Sequence, residues 1–188
     1  MLPDPPAIVL PAGSFDEGVF YKWSWEFKNS DGTSATSFTA GNEYVAYVTA
    51  EITSMPSELY IGKTTNENEG VYTWADAWAI AIKFPDEKFT FVLNENVSVS
   101  ATTTLTSKTD VTVDLAGYTL TTTSSYAINY NTGSTGSSFA LISSKAGGTV
   151  KSKSLVCLTT SQASSVNVSY GSDEGYPITS NANDSTYG

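Results

Sequence analysis

Neither histidine nor arginine occurs in the chain, and its cations are nine lysines. That removes the usual neutral-pH general base and the residue best suited to bidentate grip on phosphate or carboxylate. A Ser-His-Asp nucleophile is excluded by composition. With one cysteine, Cys157, no intrachain disulfide can form and a zinc centre lacks its ordinary ligands. No D-x-D-x-D-G loop is present for calcium, so neither metal nor cofactor is expected. Acids outnumber lysines 19 to 9, for a net charge of −10. Without a basic stripe to displace counterions, nucleic acid and anionic membranes are not expected partners. No run approaches the ~18 apolar residues of a membrane span, and the start MLPDPP lacks the basic and apolar regions of a signal peptide.

Apolar material is plentiful. The 188 residues are 40% hydrophobic and 12% aromatic, enough to bury a sizeable core. Only 15% are charged, against about 25% in ordinary soluble domains. Ser, Thr, Asn and Gly fill the vacant surface, a profile that suits a secreted or cell-surface β-protein.

Four of the seven prolines, Pro3, Pro5, Pro6 and Pro11, make residues 1–13 an extended linker. A small β-sandwich-like module is expected over 14–62. In FYKWSWEFK (20–28), Tyr21, Trp23, Trp25 and Phe27 alternate onto one face, and EYVAYVTAEI (43–52) alternates likewise around the turn-rich NSDGT (29–33). An aromatic stripe of this kind can stack on sugar rings, which makes Tyr21, Trp23 and Trp25 candidate binding residues. A module so small also needs its large side chains inside, so core packing is the competing role. Residues 63–88 supply a connector and one helix, TWADAWAIAIKF (73–84). Thr73 and Asp76 form a capping box, Pro85 is the stop, and Trp74, Trp78, Ala81 and Ile82 form the apolar face.

From 89 to 170 the pattern changes to runs of three to five residues separated by Asn, Ser, Gly and Asp: FTFVL (89–93), VSV (97–99), TLT (104–106), VTVDL (111–115), YTL (118–120), AINY (127–130), FALI (139–142), TVK (149–151), LVCL (155–158) and VNVSY (166–170). A chain that turns every few residues and returns in the same apolar phase is a solenoid signature. Cys157 falls in one of the apolar runs, where a buried thiol is expected. The segments FTFVLNENVSV (89–99), TLT (104–106), VTVDLAGYTL (111–120) and KAGGTVK (145–151) resemble the opening coils of the right-handed parallel β-helix proteins of the pectate-lyase-like superfamily, in particular its bacterial surface proteins. The resemblance implies an all-β fold, a helix closing the first coil, and parallel stacking of the strands after that helix. The polar tail 171–188 offers no closing cap, so the sequence reads as the start of a longer coil whose open end could mediate oligomerisation.

Asp110 and Asp114 are the acids of the coil region that alternation places outward. Two carboxylates can hydrolyse a glycosidic bond when they flank it. In VTVDLAGYTL, however, Asp114 is followed by Ala116 and Gly117, where a short acid commonly accepts from turn amides and Gly supplies the freedom a corner needs. Where the family carries L-D-L-N-G, this chain has Ala in place of Asn. The lyases of the superfamily commonly use Arg or Lys as base beside acidic calcium ligands, and its hydrolases grouped Asp with His and Arg nearby. Arg and His are missing here, and Lys83, Lys108, Lys145, Lys151 and Lys153 lie in no acidic constellation. The expected function is therefore a non-enzymatic extracellular or cell-surface module for adhesion or glycan recognition, with glycans or a host or cell-surface protein as partner. The competing reading is a carbohydrate-active lyase or hydrolase whose site lies largely outside this chain. Repeated T-x-T spacings at 102–106 and 119–123 are too irregular to order water as ice does.

Overall fold

A computed structural model of the chain describes residues 20–62, 71–152, 154–158, 165–171, 176–177 and 179–180, apart from the side chains of 21–25, 48–52 and 180. The described residues are mostly β with one α-helix, and the chain divides into two compact units, Met1–Met55 with Lys63–Val71 and Pro56–Gly62 with Tyr72–Gly188.

In the first unit, β1 (Phe20–Asn29) and β2 (Tyr44–Thr53) pair antiparallel from Phe20↔Thr53 to Asn29↔Tyr44. Asp31 shapes the turn after β1 by accepting from the Thr33 amide at 2.9 Å and the Thr33 hydroxyl at 2.6 Å, with Gly32 at φ 86°. Phe38 meets Phe27 edge-on and Tyr44 at a tilt, with centroids 5.3 and 4.4 Å away. On the opposite face, Lys28 lies 4.9 Å from the Tyr47 ring and 3.5 Å from Glu26. Among the described residues this unit holds one two-stranded sheet. The side chains of Tyr21, Trp23 and Trp25 lie outside the described residues; only their backbone register against Ile52, Ala50 and Val48 is given.

The second unit is parallel. After β3 (Glu58–Ile61), β4 (Val71–Tyr72) and α1 (Trp74–Lys83), the chain runs through β5 (Lys88–Leu93), β6 (Val97–Val99) and β7 (Thr103–Leu105). It then passes through β8 (Asp110–Asp114), β9 (Thr119–Thr122) and β10 (Ile128–Tyr130), and next β11 (Ser138–Ile142), β12 (Thr149–Lys151) and β13 (Val156–Leu158). The last described strands are β14 (Asn167–Tyr170) and β15 (Thr179–Ser180). From β8 on, each strand joins the same sheet as the one three places before it. The three sheets have orders β14-β11-β8-β5-β3-β4, β15-β12-β9-β6 and β13-β10-β7. Every pairing from β5 onward is parallel, as is that of β3 with β5. Residues 58–61, read from the sequence as the end of the small module, thus belong to the parallel sheet. Hairpins are absent from the described part of 88–170 because the connecting turns redirect the chain without reversing it onto its neighbour.

Alternation fixes which residues are inside. Phe89, Val111 and Phe139 occupy one ladder position, and Phe91, Val113 and Leu141 the next, all buried. Strand spacing of ~4.8 Å puts each of these side chains in contact range of its counterpart one strand away. The helix covers the start of the stack, packing on β3, β5 and β7. Trp78 and Trp74 meet Phe91 edge-on at 5.1 and 6.3 Å. The capping box forms as the sequence indicates, Thr73 Oγ1 accepting from the Asp76 amide at 3.1 Å and Asp76 reaching back to the Thr73 amide at 3.4 Å. The buried face is Trp74, Ala77, Trp78, Ile80 and Ala81, whereas Ile82 is half-buried. Cys157 is also half-buried, since Val156 is the inward residue of β13.

Candidate functional site

The widest continuous surface in the second unit is the outer face of the sheet containing β3, β5, β8, β11 and β14. Because these strands are in register, outward residues stack into three columns. Lys88, Asp110, Ser138 and Asn167 form the first. Glu58, Thr90, Thr112, Ala140 and Ser169 form the second. Tyr60, Val92, Asp114 and Ile142 form the third. Neighbouring columns lie roughly 6.6 Å apart, two residues of strand rise. The face therefore combines a strip of Tyr60, Val92 and Ile142, all half-buried, with a row of hydroxyls.

Asp110 anchors one border. Its carboxylate lies 3.4 Å from Lys88 Nζ and accepts from Ser138 Oγ at 2.5 Å. Lys88 is 85% exposed, so solvent screens the pair and its role is placement more than stability. At the other border, the Tyr60 hydroxyl donates to Glu58 at 2.8 Å.

Asp114 accepts from a turn amide as the sequence indicates, and departs from expectation only in its exposure. Alternation predicts an outward, solvated acid, but the residue is only 7% exposed. Its Oδ1 accepts from the Ala116 amide and from the Ser144 amide one coil away, both at 2.8 Å. The first bond closes the corner and the second ties two successive coils together. The corner itself is a tight turn with Ala116 at φ 47° and Gly117 at φ 88°, closed by the Tyr118 amide donating to the Leu115 carbonyl at 2.7 Å. Ala thus takes the left-handed conformation that its methyl disfavours by roughly 1–2 kcal/mol. At Gly117 a methyl would sit 2.8 Å from the Ala146 carbonyl of the next coil, so two constraints select glycine there. Ser143, fully buried, completes the junction by accepting from the Gly117 amide at 3.2 Å and donating to the Lys145 carbonyl at 2.6 Å.

The two candidate acids do not form a hydrolytic pair. Four residues along one strand separate them by roughly 13 Å, beyond the about 5–9.5 Å that glycoside hydrolysis uses. Among the described residues no group of three metal-ligating side chains comes together. Of the residues on this face, the sequence reading named Asp110 and Asp114 and did not name Tyr60, Val92, Ser138 and Ile142. Their signal was the outward phase of short strands, which carries meaning only once the register between coils is known. No protein-family model matches the chain, and no curated protein and no solved structure does either.

Proposed function

We propose that the second unit is a right-handed parallel β-helix of the pectate-lyase-like kind, and that the protein is a secreted or cell-surface module that recognises a neutral glycan on the outer face of its widest sheet. The observation that carries this reading is the juxtaposition of columns. Tyr60 and Val92, followed in their column by the amide-bound Asp114 and then Ile142, lie beside a hydroxyl row (Thr90, Thr112) with Ser138 one column further. Sugar rings present the matching pattern of apolar C–H faces edged by hydroxyls, and Tyr offers an apolar body with a polar tip. The net charge of −10 disfavours acidic polysaccharides. The acids support binding without turnover: Asp114 is engaged by two amides, and Asp110 stands too far from it to share a bond.

The test is binding of the full chain to immobilised neutral oligosaccharides, followed by titration calorimetry on the best of them. Tyr60→Ala should weaken that binding about tenfold, the equivalent of about 1.4 kcal/mol, and Thr112→Val should weaken it less. Uniform failure to bind would overturn the glycan reading. Release of reducing or unsaturated sugars would overturn the non-enzymatic one.

A further inference from the structure

We propose that the edge of β6 accepts one extended polypeptide segment from a partner protein, apolar at alternate residues and basic where it passes Glu95. The inference stands on a groove away from the sheet face and does not depend on glycan recognition.

The three sheets do not end level. Beyond β5, the widest sheet continues through β3 and β4, whereas among the described residues the sheet of β6 stops at β6. The difference is two strands, or roughly 10 Å at the usual strand spacing. Against this step lies a groove of ≈ 580 Å3. One wall is the continuous run Glu95 to Thr103, with β6 at its centre; the other is Ile61, Gly62 and residues 72–75.

The backbone of β6 is prepared for a partner on that side. The Thr123 amide donates to the Val99 carbonyl at 3.0 Å, which fixes the alternation: Val97 and Val99 turn their peptide groups to β9. Ser98 therefore turns its N–H and C=O away from β9 and into the groove. A strand laid there continues the ladder through these two groups, the recognition mode in which main-chain bonds give affinity and alternate pockets give specificity. Its residues level with Val97 and Val99 would face the apolar side formed with Ile61, Tyr72 and Trp74, and those level with Ser98 would face solvent. Among the described residues Glu95 is the one charged residue lining the groove, and its side chain lies across Gly62, where a Cβ would meet Glu95 Cγ at 2.5 Å. Charge complementarity thus selects a Lys or Arg at that point of the incoming segment.

The probe is a synthetic hexapeptide alternating Val and Thr with Lys at each end, titrated into the full chain while amide exchange is followed by NMR. Saturation should slow exchange of the Ser98 amide at least tenfold. Ser98→Pro deletes that N–H without touching the β9 ladder, since edge strands tolerate proline whose missing donor faces outward. It should abolish binding with little change in melting temperature. Glu95→Lys should weaken the Lys-ended peptide tenfold or more and favour a Glu-ended one. Unchanged affinity in Ser98→Pro, or no binding to the wild-type chain, would overturn the proposal. So would a Ser98 amide already protected in the free protein, which would mean that the chain fills its own groove. Neutral-glycan binding should be unaffected by Ser98→Pro, so failure here is separable from failure of the glycan reading.

Discussion

Asp114→Ala tests the coil junction directly. The carboxylate accepts two short amide bonds and is 7% exposed, so its removal leaves the Ala116 and Ser144 N–H groups without their acceptor. A hydrogen bond to a charged group contributes about 1.5–3 kcal/mol. The corner also loses the bond that holds Ala116 in a conformation disfavoured by about 1–2 kcal/mol. Water entering the opened corner recovers part of this, leaving an expected loss of about 3–4 kcal/mol. For a chain of this size each kcal/mol moves the melting temperature about 2–4 °C, so the shift should be on the order of 10 °C in a far-UV circular dichroism melt. Asp114→Asn keeps an oxygen acceptor but not its charge and should lose about half as much. If Asp114→Ala melts within about 2 °C of wild type, the junction does not carry the stability assigned to it. The same melts separate a turn role from a binding role: glycan affinity measured well below the melting temperature should be retained in Asp114→Asn.

Ala116→Gly relieves left-handed strain of about 1–2 kcal/mol against loss of one buried methyl worth about 0.8 kcal/mol, so urea denaturation should show a small gain in stability. Gly133→Ala would drive a methyl to 1.7 Å from the Thr106 carbonyl, and loss of more than about 3 kcal/mol is expected by the same assay. Thr73→Ala removes the hydroxyl of the capping box and should cost about 1 kcal/mol. Tyr130 carries a hydroxyl that is fully buried without a hydrogen-bond partner, and burial raises its ionisation above the ordinary tyrosine range. The fold therefore favours the neutral phenol, and its stability should fall as pH rises past the unfolded tyrosine value of about 10. Tyr130→Phe should flatten that alkaline slope and leave neutral-pH stability unchanged or raised.

Sequence legibility divides along physical lines. The strands at 88–170 were readable because most of them, β5, β8, β9 and β11 above all, turn alternate apolar residues inward, and α1 because Thr73, Asp76 and Pro85 mark its ends. The repeat was not readable by self-similarity. Equivalent inward positions are separated by 22 residues (Phe89 to Val111), then 28 (Val111 to Phe139), then 29 (Phe139 to Val168). Turns absorb the variation while the strands stay in register. The place of residues 58–61 was hidden for a related reason: a four-residue alternating run fits an antiparallel or a parallel sheet equally well, and only its partner decides. Burial of Asp114 was missed because the two-residue period describes strands and lapses at a corner, where the backbone folds over the side chain. The same lapse hid its second bond, since nothing in the local sequence places Ser144 beside it.

The division between inward and outward columns also bears on how such a chain can carry a binding surface at all. An inward residue contacts its counterparts in the coils on either side, so a change at Phe91 or Val113 is felt by Leu59, Leu141 and the helix tryptophans. An outward residue such as Thr112 or Ala140 meets only its column neighbours and solvent. Sequence can therefore vary outside while the ladder keeps the spacing fixed, at ~4.8 Å across strands and roughly 6.6 Å along them. A ligand held on this face is read by a rigid grid whose positions can be changed one at a time. A segment laid on the β6 edge would be read the opposite way, mainly by peptide groups with side chains tuning the fit. One unit thus presents two surfaces of different chemistry, and substitutions at Tyr60 and Ser98 should act independently.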